Sequence, residues 1–91
     1  MKNTIFVFVA PQAVFPSGVF LEVAEAEEWI SKYCLTGVLT EYPVGVGVFD
    51  WAVAAGKFVP KPNKAIDASF VGKFTTAAMS HYHYEDGVRL T

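Results

Sequence analysis

Glu22–Pro43 reads EVAEAEEWISKYCLTGVLTEYP, and its hydrophobic period changes partway along. Up to Tyr33 the apolar residues recur at helical spacing. Val23, Ala26, Ile30 and Tyr33 form one stripe with Trp29 beside it, while Glu25, Glu28 and Lys32 fall outside. Glu22, Glu25, Glu27 and Glu28 crowd the first half, where negative charge complements a helix N-terminus, and Lys32 stands near the other end. From Leu35 to Tyr42 the pattern alternates and is rich in β formers, so a strand follows and stops at Pro43. A helix running directly into a strand predicts an α+β fold.

On the N-terminal side, Asn3–Val9 is rich in Ile, Phe and Val and apolar at both parities, the signature of a strand inside its sheet. The chain begins Met1-Lys2, and the apolar run Ile5–Ala10 is too short for the core of a signal peptide. It stops at Pro11 with no small-x-small cleavage site. Phe15–Leu21 predicts a shorter strand, and Pro16 with Ser17-Gly18 favours an edge or a bulge. A hairpin with the first strand is the simplest pairing.

On the C-terminal side, Val44-Gly45-Val46-Gly47-Val48 is a glycine-punctuated loop. It lacks the third glycine and the Lys or Ser/Thr of nucleotide-binding fingerprints. Phe49–Ala55 predicts a short helix with Gly56 as its C-terminal glycine and Asp50 capping its first turn. Val59–Asp67, with Pro60, Pro62 and Asn63, is the longest loop. Ser69–Thr75 reads as a strand, Thr76–Ser80 as a helical turn, His81–Glu85 as a fifth strand, and Val88–Thr91 as a tail. The expected fold is a single mixed or antiparallel sheet of about five strands with two helices on one face, occupying residues 1–87, with 88–91 outside the domain. The opposite face of the sheet is left partly open.

His81-Tyr82-His83-Tyr84-Glu85-Asp86-Gly87 concentrates the titratable chemistry. Alternation puts His81, His83 and Glu85 on one face of a strand and Tyr82 and Tyr84 on the other. Ninety-one residues fit one domain, and 53% of them are hydrophobic and 15% aromatic. With a mean hydropathy of +0.33, this is more apolar surface than so small a domain readily hides, because such domains bury only about 60% of the surface their unfolded chain exposes. Part of it is expected to face a partner. The charged fraction of 18% and net charge of −2 give no basic footprint for nucleic acid or anionic lipid. No segment approaches the length of a membrane span. Cys34 is the lone cysteine and cannot form an internal disulfide. It reads as a reduced, partly buried thiol in a cytoplasmic protein.

Phe15–Phe20 (FPSGVF), Ala26–Ile30 (AEEWI), Leu35–Pro43 (LTGVLTEYP), Gly47–Ala52 (GVFDWA) and His81–Gly87 (HYHYEDG) together resemble a family of small, uncharacterised bacterial domains. The resemblance spans Ile5–Gly87. It implies a bacterial cytoplasmic protein and brings no catalytic residue. By size and character the chain is also similar to immunity proteins that neutralise a secreted toxin, an analogy without a diagnostic motif.

Three function classes follow. The first is a protein-binding domain, most concretely an immunity-type protein. Its partner contacts would be Glu25, Glu28, His81, His83, Tyr84, Glu85 and Asp86, with the carboxylates complementing a basic toxin. No cofactor is expected. The second is a metal-binding or hydrolytic enzyme built on His81, His83 and Glu85. Two imidazoles and a carboxylate suit Zn or Fe(II), or a histidine base would be oriented by Asp50, Glu85 or Asp86 toward a hydroxyl of Ser17, Thr75 or Ser80. No fixed spacing supports that trio, and catalysis is not expected. The third is a self-associating homodimer.

Overall fold

The computed structural model describes residues 3–62 and 65–91. Met1-Lys2 and the Asn63-Lys64 part of the long loop lie outside the described residues. The elements are β1 (Thr4–Val9), β2 (Gly18–Phe20), α1 (Val23–Lys32), β3 (Gly37–Pro43), α2 (Val48–Ala54), α3 (Ala68–Lys73), β4 (His81–Glu85) and β5 (Val88–Arg89). The strands form one antiparallel sheet in the order β2-β1-β3-β4-β5. The fold is α+β, β1 is interior as its two apolar faces require, and β2 is an edge strand in a hairpin with β1.

Register sorts the side chains onto two faces. Phe8 pairs with Leu39, Leu39 with Tyr82, and Phe6 with Phe20 and Glu41. That face meets α1, and Phe6, Phe8, Ala26, Ile30, Leu39 and Tyr84 form the buried core cluster. Trp29 lies beside it, edge-on to Phe8 at 5.6 Å and tilted against Phe20 at 5.4 Å. On the other face the rows run Val19–Val7–Thr40–His81 and Val9–Val38–His83. Val7, Val9 and Val38 there are only half-buried and Val19 is exposed.

Local chemistry explains the ends of α1. Glu22 is its N-cap and exchanges hydrogen bonds with Glu25 in a capping box, the Glu22 N–H donating to Glu25 Oε1 at 3.1 Å. At the other end, the Cys34 N–H donates to the Ser31 carbonyl and the Leu35 N–H to the Ile30 carbonyl, with Cys34 at φ +53°. This is a Schellman turn in which cysteine holds the left-handed position that glycine usually fills. Cys34 is therefore exposed rather than partly buried. It follows a helix terminus and points away from the core.

Other expectations are corrected. Ser69–Thr75 is not a strand. Asp67 Oδ1 accepts the Phe70 N–H at 2.8 Å and starts α3. Phe70 and Phe74, one turn apart, then join Phe49 and Phe58 in a four-ring cluster with centroids 5.1–6.1 Å apart. Thr76–Ser80 is a turn rather than helical, with Thr76 Oγ1 accepting the Ala78 N–H. Asp50 sits in the first turn of α2, but Gly47 is the N-cap and no side chain caps that helix. Within α2 the buried residue is Ala52, and Trp51 is half-buried.

Val88–Arg89 is not a loose tail but the edge strand β5. Asp86 and Gly87 have φ of +50° and +87°, the two positive values that a type I′ hairpin needs and that Asp-Gly supplies. A side chain at position 87 would also meet Cys34 Cα at 3.0 Å, so the turn fits closely against the end of α1.

Candidate functional site

β4 carries its side chains as alternation requires. Tyr84 is buried and Tyr82 half-buried on the α1 side, while His81, His83 and Glu85 are exposed on the other. The seven candidate contact residues do not form one surface. Glu25 and Glu28 are exposed on α1, on one side of the sheet, and the two histidines with Glu85 project from the opposite side. Asp86 is exposed in the hairpin turn, its N–H donating to Thr36 Oγ1.

Tyr84 leaves the contact set because it is 3% exposed. Its hydroxyl donates to Glu27 Oε2 at 2.6 Å, and Arg89 Nε stands 3.1 Å from the same oxygen in an ion pair. The Arg89 guanidinium lies over the Tyr82 ring, 4.7 Å from its centroid. Burial first, then the hydrogen bond to Glu27 and its charge, push the Tyr84 phenol well above its ordinary value. Glu27, Tyr84 and Arg89 thus clasp β4 and β5 to α1. Sequence reasoning missed the clasp because Glu27 and Tyr84 are 57 positions apart, and nothing local marks Glu27 out from its neighbours.

The two histidines are neighbours, with ring centroids 5.3 Å apart and planes at 79°. His81 Nδ1 is 2.8 Å from the Met79 carbonyl oxygen. A carbonyl only accepts, so Nδ1 carries the proton and donates, and the neutral ring keeps its lone pair on Nε2. Among the described residues no carboxylate is bonded to His81, which removes Asp50, Glu85 and Asp86 as its positioning partners. Thr75 and His81 do line one shallow groove with Val38, Thr40, Tyr42, Thr76, Ala77 and Met79. Among the described residues no group of three or more His, Cys, Asp or Glu could hold a metal ion, so Glu85 does not complete a three-ligand centre with the histidines.

A second concavity, of about 350 Å³, lies in the α2–α3 region and is lined by Phe58, Val59, Lys61, Ala65, Ile66, Asp67 and Phe70. None of the candidate catalytic residues lines it, and the Asp67 carboxylate is occupied as the α3 cap. Charge divides along the same line. Among the described residues Lys57, Lys61 and Lys73 stand with Asp50 and Asp67 in the α2–α3 region, whereas Glu22, Glu25, Glu27, Glu28, Glu41, Glu85 and Asp86, against Lys32 and Arg89, belong to α1, the sheet and their connections. The sheet body is acidic although the chain as a whole is nearly neutral.

Exposed large apolar side chains include Val14, Phe15 and Leu21 on either side of β2, Val19 on the open sheet face, and Val53, Val59, Ile66, Phe70 and Val71 in the α2–α3 region, with Tyr33, Val44, Val46, Val88 and Leu90 elsewhere. No helix among the described residues is long and apolar enough to cross a membrane. Comparison with curated proteins and with solved structures gave no match. The model of a domain of unknown function, DUF7710, matches residues 5–90, nearly the whole length, and the chain belongs to that family.

Proposed function

We propose that this chain is a bacterial protein-binding domain of the immunity type, which occludes a partner toxin in the cytoplasm. The observation that carries the reading is the imbalance of apolar side chains. Among the described residues fourteen large hydrophobics are exposed against eight hydrophobics that are buried. Scattered exposed apolar residues are ordinary, but Val14 at 84% and Phe15 at 77% exposure are consecutive in the β1–β2 connection, and Leu21 at 70% follows the other end of β2. A phenylalanine so placed is a candidate anchor for a partner's pocket. The open sheet face beside it adds His81, His83 and Glu85, aromatic and polar groups of the kind that line the rim of an interface.

The acidic sheet body favours a basic partner such as a nuclease whose active site binds phosphates. Glu25 and Glu28 lie on the far side of the sheet from the histidines, so they serve by steering the approach, while the histidine face and the hairpin make the contact. Asp86, in the turn at the end of β4, serves in the same way.

Co-expression with the product of the adjoining gene tests this. A stable complex of fixed stoichiometry is expected, together with protection of the host. Phe15→Asp and His83→Ala should speed its dissociation, and Glu25→Lys with Glu28→Lys should slow association and flatten its dependence on salt. Absence of both complex and protection would overturn the proposal. So would a concentration-dependent homodimer that buries Phe15.

A further inference from the structure

The geometry points to a two-histidine chelate for a borderline divalent ion, Zn²⁺ or its neighbours Cu²⁺ and Ni²⁺, formed by His81 Nε2 and a ring nitrogen of His83 on the open face of the sheet. It is independent of the proposed partner. Three observations carry it.

First, the rings stand at a chelating distance. An imidazole nitrogen binds Zn²⁺ at about 2.0–2.1 Å. The ring centre lies roughly 1.2 Å behind that nitrogen, so two imidazoles on one tetrahedral ion have centroids about 5.2 Å apart. The His81 and His83 centroids are 5.3 Å apart.

Second, His81 is already prepared as a ligand. Its Nδ1–H donates to the Met79 carbonyl at 2.8 Å. That outer-shell bond holds metal-bound histidines elsewhere in orientation and leaves Nε2 as the only lone pair. Third, the His83 ring makes no hydrogen bond among the described residues and is exposed, so turning a nitrogen toward the same point breaks nothing. The strand beneath is fixed, because β4 is paired on one side to β3 at Thr40 and Val38 and on the other to β5.

With two protein donors and no third among the described residues, the remaining positions belong to water. The site is exchangeable rather than structural, and the fold does not depend on it.

Isothermal titration of the purified, metal-stripped protein with ZnCl₂, without any partner, gives the test. One Zn²⁺ per chain is expected in the parent. Binding should weaken at least about ten-fold in His81→Gln and in His83→Gln, given that losing even an outer-shell partner costs that much. Both residues are exposed, and unchanged apo melting curves would confirm that the variants fold. In ring ¹⁵N spectra the His81 Nε2 resonance should shift with Zn²⁺ while Nδ1 remains a protonated donor. The inference is overturned by a parent that binds no Zn²⁺, by binding that survives both substitutions, or by coordination through His81 Nδ1 with loss of its proton. Saturation at half an ion per chain with a doubled mass would place the ion between two copies and would overturn the single-chain chelate.

Discussion

Gly37→Ala should be among the most damaging small substitutions in the chain, although it adds only a methyl group. Gly37 opens β3, next to Val38, which pairs with Val9 of β1. A Cβ at position 37 would stand 2.6 Å from the Val9 carbonyl oxygen, 2.6 Å from Phe8 Cζ and 3.1 Å from Ala10 Cα. Ordinary contacts at such atoms are near 3.4 Å or longer, so the backbone oxygen must retreat by most of an ångström. A ring tip can swing aside, but the Val9 carbonyl belongs to an interior strand flanked by β2 and β3. Phe8, the other obstacle, is a fully buried part of the core. Overpacking of this kind costs typically about 1–3 kcal/mol, and an immobile backbone places the substitution near the upper end. Against a total of about 5–15 kcal/mol for a domain of this class, and with each kcal/mol worth about 4–8 °C in this size range, the melting temperature should fall by about 10–20 °C. Urea unfolding should show a lower midpoint with an unchanged slope, the mark of a native state that is destabilised rather than reorganised. Gly72→Ala is the internal control, because a Cβ there meets nothing within 4 Å. A Gly37→Ala variant within about 0.5 kcal/mol of the parent, the ordinary scatter of surface substitutions, would refute the close approach of β3 to the end of β1.

Gly72→Ala itself should be neutral to stabilising by up to about 1 kcal/mol because position 72 is helical, and Asp67→Ala should cost about 1 kcal/mol by removing the α3 cap. Destabilisation by the first and indifference to the second in urea melts would argue for a strand at 69–75 after all. Cys34→Gly should stabilise by roughly 1 kcal/mol, since it relieves a left-handed backbone at a side-chain-bearing residue; a lower melting temperature would contradict the Schellman reading. Tyr84→Phe should cost about 1.5–3 kcal/mol at neutral pH, the worth of a hydrogen bond to a charged group. The folded protein holds the Tyr84 proton more tightly than the unfolded chain does, so its contribution is complete below the ordinary tyrosine value of about 10 and is lost as pH rises above it. The parent should therefore weaken more steeply than Tyr84→Phe from about pH 10 upward, and superimposable alkaline profiles in thermal melts would remove Glu27 from its role as acceptor.

Elements whose own residues determine them were legible in the sequence. α1 was, because its apolar stripe and its acidic first half are local, and β4 was, because period-two alternation placed the histidines and tyrosines on the faces they occupy. α3 was not. Phe70, Val71, Phe74 and Thr75 are β formers, and what overrides them is the Asp67 cap together with the Phe49 and Phe58 rings contributed from α2 and the loop after it. β5 is only two residues long, too short for any periodicity. Its sign was the Asp86-Gly87 pair, which announces a hairpin before the returning strand is visible.

The open sheet face shows where such reading stops. In β1 the residues Ile5, Val7 and Val9 are as apolar as Phe6 and Phe8, and alternation says only that the two sets face opposite ways. The choice between them is made by α1, whose Ala26 and Ile30 bring a tightly packed surface to the phenylalanines, where aromatic side chains gain more from contact than valines do. The valines are then left half-covered beside His81 and His83. A face that is apolar because it is core and a face that is apolar because something docks there obey the same pattern, and only the position of the helix separates them. The candidate site therefore emerges as a remainder, the part of the apolar alternation that the chain's own helices leave uncovered.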